Sequence, residues 1–483
     1  MVLQLRGELE LELEPGDVAG ALRDPLFDRV VTLGPTGVAV ALALEEPRDL
    51  DEALAMVAAG GFPRDQAENT LRLFAMLHLL DGIGDNVRAK IRGVWAGYDE
   101  LEHVALPGAR HACQGSSLCC RSYRLGPVEP EEAEVIRALP LRDAMPDLSD
   151  EEPFVRMDGH LFLRTVDAHC LFLQSDHRCG LHAHFGEDTK PLACRQYPIQ
   201  MKATFREIRV FNNHQCASHF VSQAAGPPLV AAARLTGKTE TGELPLFHPI
   251  VYADEETAVD YVQFLELEDA LRVAIAAGPP LVQLAHAPAI VDSFVAVARA
   301  LPLGVDPEPH FTAWRTSVAL VSPSVVVATA ADRDDALALF DALVDQLLPF
   351  VAAPQHQDRD ELPLMSELLP ILAALQLRTQ KIVPGAAAPA LEEPFASALT
   401  TSLVQRFTGT LSLGEDRPLS AIGQAALALA CAFAGARERT LESLGRPHAI
   451  ANRVLSRATR TLFRVHPELV RALVRVLPAI CAP

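Results

Sequence analysis

Cys113, Cys119, Cys120, Cys170, Cys179, Cys194 and Cys216 are seven of the nine cysteines in a chain of 483 residues. Nine of its sixteen histidines share the same stretch, from His103 to His219. Thiolates are soft, negatively charged donors, so this concentration points to metal or redox chemistry. Three arrangements compete. A disulfide framework suits an oxidising compartment and an even count, whereas this set is odd and its adjacent pair, Cys119 and Cys120, cannot close on itself without distorting the peptide. Structural zinc needs four thiolates or imidazoles, and His111, His169, His182, His184, His214 and His219 add nitrogen donors, although the usual two-residue spacing within a ligand pair is missing. An iron-sulfur cluster prefers all-thiolate ligation, and a 4Fe-4S cluster would take four of the seven, leaving three for other work.

Residues beside the cysteines suggest roles of their own. Arg195 follows Cys194, and its guanidinium can donate to thiolates or cluster sulfurs, or form an ordinary ion pair. Tyr197 with Pro198 fixes a turn. Glu187 and Asp188 are candidate bases or amine ligands against a reading as solvated loop carboxylates. His182 and His184 alternate as in a strand, which would place both on one side.

The elements that position these groups divide the chain into three. Residues 1–95 read as a small unit of two strands and three helices: "ELELELE" alternates with period two, "FDRVVTLG" is a second apolar run, and Thr36 can cap a helix through "GVAVALALEE". A second helix fits "LDEALAMVAAGG", and a third fits "RDQAENTLRLFAMLHLLDG", with Leu71, Phe74, Leu77, Leu79 and Leu80 as its apolar face and Gly82 past its end. Residues 96–225 hold the cysteines, placed in loops and turns around short strands at "HLFLRT" and "FREIRVF", with a helix over "EPEEAEVIRAL" that Pro130 can start. Residues 226–483 read as a helical region with broad apolar stripes, as in "ETAVDYVQFLELEDALRVAIAA". The expected fold class is α+β, predominantly helical: a winged-helix-like N-terminal unit, a small cysteine-rich metal domain and a helical C-terminal region.

Charge narrows the partners. With 42 basic and 62 acidic side chains the net charge is −20, which repels phosphate backbones and anionic lipid, so neither nucleic acid nor membrane is an expected partner. The start, "MVLQLRGELELELEPGD", lacks the basic and apolar regions of a secretory signal, and the expected location is the cytoplasm. "AIGQAALALACAFAGA", Ala421 to Ala436, is too short for a bilayer and reads as a buried helix holding Cys431; Cys481 also reads as a packing residue.

The order of Cys113, Cys119-Cys120, "CLFLQSDHRCGLH" and "PLACRQYP" resembles the YkgJ-type (CxxCxxCC) cysteine-cluster family, which implies a zinc- or iron-chelating domain of about 110 residues. Cys113, Cys119, Cys120, Cys170, Cys179 and Cys194 occupy the family's positions, and Arg195, Tyr197 and Pro198 complete its last element. Arg121 and Ser122 depart from the apolar-aromatic pair expected after the double cysteine. The longer context, "LHAHFGEDTKPLACRQYP" with Cys216 in "HQCASHF", is similar to flagellin lysine N-methylases, which implies S-adenosylmethionine and lysine methylation of a protein. "GIGD" at Gly82 to Asp85 is a lone G-x-G without a strand and acidic ribose partner, so it supplies no dinucleotide-type site. "LGPTGVAVALALEEPRDLDEAL" resembles the PqqD-like winged-helix domains, which implies recognition of a peptide segment.

The resulting expectation is a metal-binding protein with a 4Fe-4S cluster, or zinc, on Cys113, Cys119, Cys120, Cys170, Cys179, Cys194 and Cys216, and with Arg195 and Tyr197 touching the cofactor. It would serve peptide or protein modification such as lysine N-methylation. The alternative is a non-catalytic, zinc-stapled interaction module. Substrate, ligand quartet and oligomeric state are left open at this point.

Overall fold

The structure, a computed structural model, describes residues 2–482 apart from 15, 17–18, 97–100, 113–114, 123–124, 150, 167–168, 205, 230–249, 303–304, 319–326, 353–361, 388–389 and 410–416. Cys113 thus lies outside the described residues. The chain is predominantly helical, 57% helix against 14% strand, and its strands are confined to sheets of two or three.

At the N-terminus β1 (Val2–Leu3) precedes an antiparallel meander of β2 (Glu10–Leu13), β3 (Gly20–Asp24) and β4 (Arg29–Leu33). Then come α1 (Pro35–Ala43), β5 (Arg48–Asp49, antiparallel to β1), α2 (Leu50–Ala59), α3 (Arg64–Met76) and α4 (Asp85–Ala96). Strands β1, β3 and β5 and helix α4 add to the two strands and three helices expected. Pro35, whose fixed φ suits a first turn, starts α1 from Gly34, so Thr36 lies inside the helix and does not cap it. Asp49 caps α2, its carboxylate accepting from Asp51 N at 3.1 Å. Helix α3 stops before Leu77, earlier than its apolar pattern suggested, because His78 turns the chain at φ +57°. Leu79 and Leu80 still reach the same core from outside the helix, Leu80 bridging Leu5.

The central stretch is built of short pieces: β6 (His103–Ala105), α5 (Leu118–Ser122), α6 (Pro130–Arg137), α7 (Leu141–Ala144), β7 (Phe154–Met157), β8 (His160–Leu163), β9 (Thr165–Val166) and β10 (His169–Cys170). It continues through α8 (Gly180–Phe185), α9 (Leu192–Gln196), β11 (Ile199–Ala203), β12 (Ile208–Asn212) and α10 (His219–Ala225). Pro130 starts α6 as expected, and Glu129 with Glu132 closes a capping box there. The pairs β7–β8 and β9–β10 are separate antiparallel hairpins, while β12 joins β11 antiparallel and β6 parallel. Val128, Ala133, Ile136, Phe154, Leu163, Phe172 and Leu181 form a small core here, and Cys170 is part of it.

Next are the hairpin β13 (Ile250–Tyr252) and β14 (Ala258–Asp260) and the helices α11 (Tyr261–Ala276), α12 (Pro280–Ala300), α13 (Glu308–Val318), α14 (Ala330–Ala352) and α15 (Leu362–Gln380). Helices α16 (Phe395–Gly409), α17 (Pro418–Gly435), α18 (Leu441–Val465) and α19 (Pro467–Ile480) complete the chain. The sequence pattern placed residues 258–260 in a helix; they pair with β13 instead, and Ile250 and Ala258 enter the N-terminal core. Both α12 and α17 are long and apolar enough to cross a membrane by length and composition. Helix α17, however, has 89% of that window buried within the protein, between α12, α15, α18 and α19. Cys431 and Cys481 are fully buried in this helical core, as expected of packing residues.

The central and helical parts meet where the turn before α10 touches α18. A Cβ at Gly445 would overlap the Ala217 carbonyl oxygen, a backbone atom that cannot swing aside. Gly445→Ala is therefore expected to destabilise the protein by about 1–3 kcal/mol, because the overlap outweighs the roughly 1 kcal/mol that alanine gains in a helix. A lowered denaturation midpoint with an unchanged slope is the outcome to look for; a rise would refute the close approach.

Candidate metal centre

Five of the expected cysteines converge, and none comes from an open loop. Cys119 and Cys120 lie on the single turn of α5, Cys170 ends β10, Cys179 bridges Leu173 immediately before α8 and Cys194 lies on α9. The expectation of loops around one sheet is corrected accordingly. A one-turn helix leaves a cysteine exposed on one side and packed on the other. Cys120, Cys179 and Cys194 all pack on the core that contains Cys170, and α5 lies against β10.

Local chemistry explains the convergence of Cys170 and Cys179. Between them the chain doubles back: Leu173 N donates to Cys170 O at 2.9 Å, Gln174 N to Arg178 O at 2.9 Å and Gly180 N to Phe172 O at 2.7 Å. The Asp176 carboxylate accepts from Arg178 N at 3.0 Å, which is the turn that "QSDHRC" encodes. Cys194 is placed by a residue that the sequence reading passed over. Glu132, in the first turn of α6, accepts from Leu192 N at 2.7 Å and lies 3.5 Å from Arg195 Nη2. It satisfies an orphan N–H of α9 and holds that short helix against α6. The only signal for this in the sequence is the capping-box spacing of Glu129 and Glu132.

The sulfurs are close enough to perturb one another. Cys119 Sγ and Cys120 Sγ are 3.8 Å apart, and their hydrogen bond holds the Cys119 thiol down at about 7 while pushing Cys120 far up. Burial pushes Cys170 up to about 12 and Cys194 well above the ordinary range, with the neighbouring thiols adding to both. The Lys190 ammonium works the other way at Cys119 and Cys194, favouring their thiolates. A set of thiols whose charges oppose one another in a buried place is one that a cation would relieve. Arg195 follows Cys194 directly on α9, with its Nη2 3.5 Å from Glu132 and its Nε buried without a hydrogen-bond partner. Among the described residues no three His, Cys, Asp or Glu side chains are already drawn onto a single ion point.

The remaining expected residues fall elsewhere. Tyr197 donates its hydroxyl to Gln215 O at 3.1 Å, and Asn213 N donates to Pro198 O at 2.7 Å, so the C-R-Q-Y-P segment is tied to the turn that carries Cys216. Tyr197 thus tethers that turn. Cys216 is buried there, directly before α10. His182 and His184 lie on helix α8, where residues two apart point to different sides, so the strand-like pairing is corrected; both are exposed, and His184 contacts Gln174 at 2.8 Å. Glu187 and Asp188 are exposed on a single 3-10 turn. His169 neighbours Cys170 in β10, and His111 Nδ1 lies 3.4 Å from Ser222 Oγ. His214 and His219 are buried near α16 and α18, away from the small cysteine core. Gly82 to Asp85 lies between the bridge at Leu80 and the start of α4, and no strand leads into it.

No protein-family model matches this chain, and no curated protein or solved structure matches it.

Glu132→Ala is expected to loosen Cys194 and weaken metal retention about 10- to 100-fold, as losing a partner of a ligand commonly does, with Glu132→Gln closer to wild type because its amide oxygen can still accept from Leu192 N. A chelator competition reads this directly; equal retention in all three proteins would remove Glu132 from the centre.

Proposed function

We propose that the cysteine centre binds a metal cofactor, a 4Fe-4S cluster by preference and zinc as the second choice. The observation that carries this reading is the convergence of Cys119, Cys120, Cys170, Cys179 and Cys194, drawn from four separate elements, around one small core. Such a cluster prefers all-thiolate ligation, and five cysteines supply the four it takes with no histidine among them. When bound, an iron-sulfur cluster would supply one-electron redox chemistry. The chain's own groups then have defined tasks: Lys190 and Arg195 offset the negative charge of the thiolates, and the core around Phe172 and Leu181 shields them from water. The thiols call for a reducing compartment, which the cytoplasm provides.

The wider role is modification of a peptide or protein, with lysine N-methylation as the reaction that the resemblance to flagellin lysine N-methylases implies. In that reaction the methyl leaves the sulfonium of S-adenosylmethionine for a neutral lysine amine, which then loses a proton. The N-terminal unit, winged-helix-like in this reading, is the part suited to hold the peptide, and neither nucleic acid nor membrane is its partner.

Metal and acid-labile sulfide analysis with an absorption spectrum, on protein purified without oxygen, tests the first part. Iron with matching sulfide and a broad visible band supports the cluster. Zinc without sulfide favours a zinc-stapled interaction module, and absence of both metals refutes the centre. Mass spectrometry of lysine-containing protein incubated with S-adenosylmethionine and the metal-loaded enzyme tests the second part, a gain of one methyl group being the expected product.

A further inference from the structure

A second group of donors lies outside the cysteine core. His214 and His219 flank the turn into α10, His448 comes from α18, and all three are almost fully buried. Their ring centres are 4.6 Å (His214–His219), 5.5 Å (His219–His448) and 6.2 Å (His214–His448) apart. Both nitrogens of His214, Nδ1 of His219 and Nδ1 of His448 have no hydrogen-bond partner. Buried polar atoms are ordinarily matched, so four such nitrogens in one place call for something that binds them.

We propose that His214, His219 and His448 form a second metal site, taking one divalent ion of the zinc class at the seam between the cysteine-rich part and the C-terminal helices. Three imidazoles on one tetrahedral ion, with bonds of about 2.0–2.1 Å, place ring centres about 3.2 Å from the ion and about 5 Å from each other. The observed spacings bracket that figure. The widest exceeds it by roughly an ångström, so the rings must turn inward on binding, in keeping with the lack of a ready-made three-ligand point.

The surroundings also suit ligands. His219 Nε2 is held 2.9 Å from Ser402 Oγ and 2.9 Å from the Gln223 amide nitrogen, while its Nδ1 stays unmatched. His448 Nε2 accepts from Asn452 Nδ2 at 3.2 Å, which places the ring's proton on Nδ1, so ligation through Nδ1 requires that proton to move to Nε2 and Asn452 to release the ring while keeping its bond to His448 O. With the Gln223 amide turned over, its Oε1, which otherwise lacks a partner, accepts from His219 Nε2–H and leaves a lone pair on Nδ1. Arg406, joined to His448 through Asn452, is the opposing charge that the ion must overcome.

The site stands independently of the cysteine centre, and the test separates the two. Cobalt(II) titration of the metal-stripped full-length chain should show one equivalent more in wild type than in His448→Gln, and one equivalent should survive, with a visible band lacking thiolate character, when Cys119, Cys120, Cys170, Cys179 and Cys194 are all replaced by serine. Equal stoichiometry in wild type and His448→Gln, both folded by circular dichroism, would overturn the proposal and assign the nitrogens to ordered water. Zinc-edge X-ray absorption on the wild-type chain, loaded with zinc, does not depend on any variant folding. Imidazole scattering from about three rings is expected for one zinc, and a sulfur-only shell or no retained zinc would overturn the site.

Discussion

Cys194→Ser is expected to lower the affinity of the cysteine centre for the metal proposed for it by about 100- to 1,000-fold. A structural four-ligand site is worth about 10–16 kcal/mol in small metal-dependent folds, which is roughly 2.5–4 kcal/mol for each ligand. The serine hydroxyl is a poor substitute because it stays protonated and is a hard donor. Cys194 is the most informative of the five to change, since it alone is fixed by Glu132 through Leu192 N, and Arg195 follows it. The effect should extend to stability, because the short hairpins and one-turn helices around Phe172 have a small core and gain most from being tied together. Metal content after desalting, measured beside a Cys481→Ala control, reads the first effect, and a thermal scan with and without chelator reads the second. Full metal retention in Cys194→Ser would exclude it as a ligand.

Arg209→Ala is the second large effect, at about 3–5 kcal/mol of lost stability. Arg209 on β12 is buried, its Nη1 lying 2.6 Å from Glu268 Oε1 on α11 and 2.6 Å from Thr408 O on α16, while its Nε is 3.0 Å from Glu207 Oε1. One guanidinium therefore joins the cysteine-rich part to two helices of the C-terminal region. Burial pushes the Glu268 carboxyl up to about 7 even against the pull of Arg209. The sign of the pH dependence follows from that direction. The folded state holds a proton on Glu268 that the unfolded chain releases near 4.5, so the stability it contributes is fullest below about 4.5 and is lost as pH rises towards 7. Without Arg209 the carboxyl is pushed further up, so the variant should be closer to wild type at pH 5 than at pH 8. Chemical denaturation at the two pH values checks this. The double change Arg209→Met with Glu268→Leu, which removes both charges, should recover most of the loss; if it does not, Thr408 O and packing carry more than the pair.

The coarse fold was legible because its signals are long. Broad apolar stripes mark the C-terminal helices, Pro130 marks the start of α6 and the glycines after Ala59 mark the end of α2. The cysteines marked the centre itself through residue type alone. What escaped were elements of one turn. In α5, α8 and α9 there are too few residues for periodicity to show, and "HAH" reads equally well as strand or helix. Positioning residues also escaped, because Glu132 acts on Leu192 across 60 residues and His448 meets His219 across 229. Residues 258–260 were misread because pairing with β13 and contact with the N-terminal core override a helical pattern that continues into α11.

That hairpin has a consequence for how the protein is made. The core formed by Leu5, Phe74 and Leu80 is completed by Ile250 and Ala258, and His78 Nε2 sits 3.7 Å from Asp260 Oδ2. The ribosome produces these partners some 180 residues after Leu80, which at about 5–20 residues per second is an interval of roughly 10–40 s. Through that interval the first-made segment has an apolar face that nothing yet translated fills. A chaperone that shields nascent chains has its longest opportunity there, and a fragment ending near residue 95 would carry the same bare face permanently.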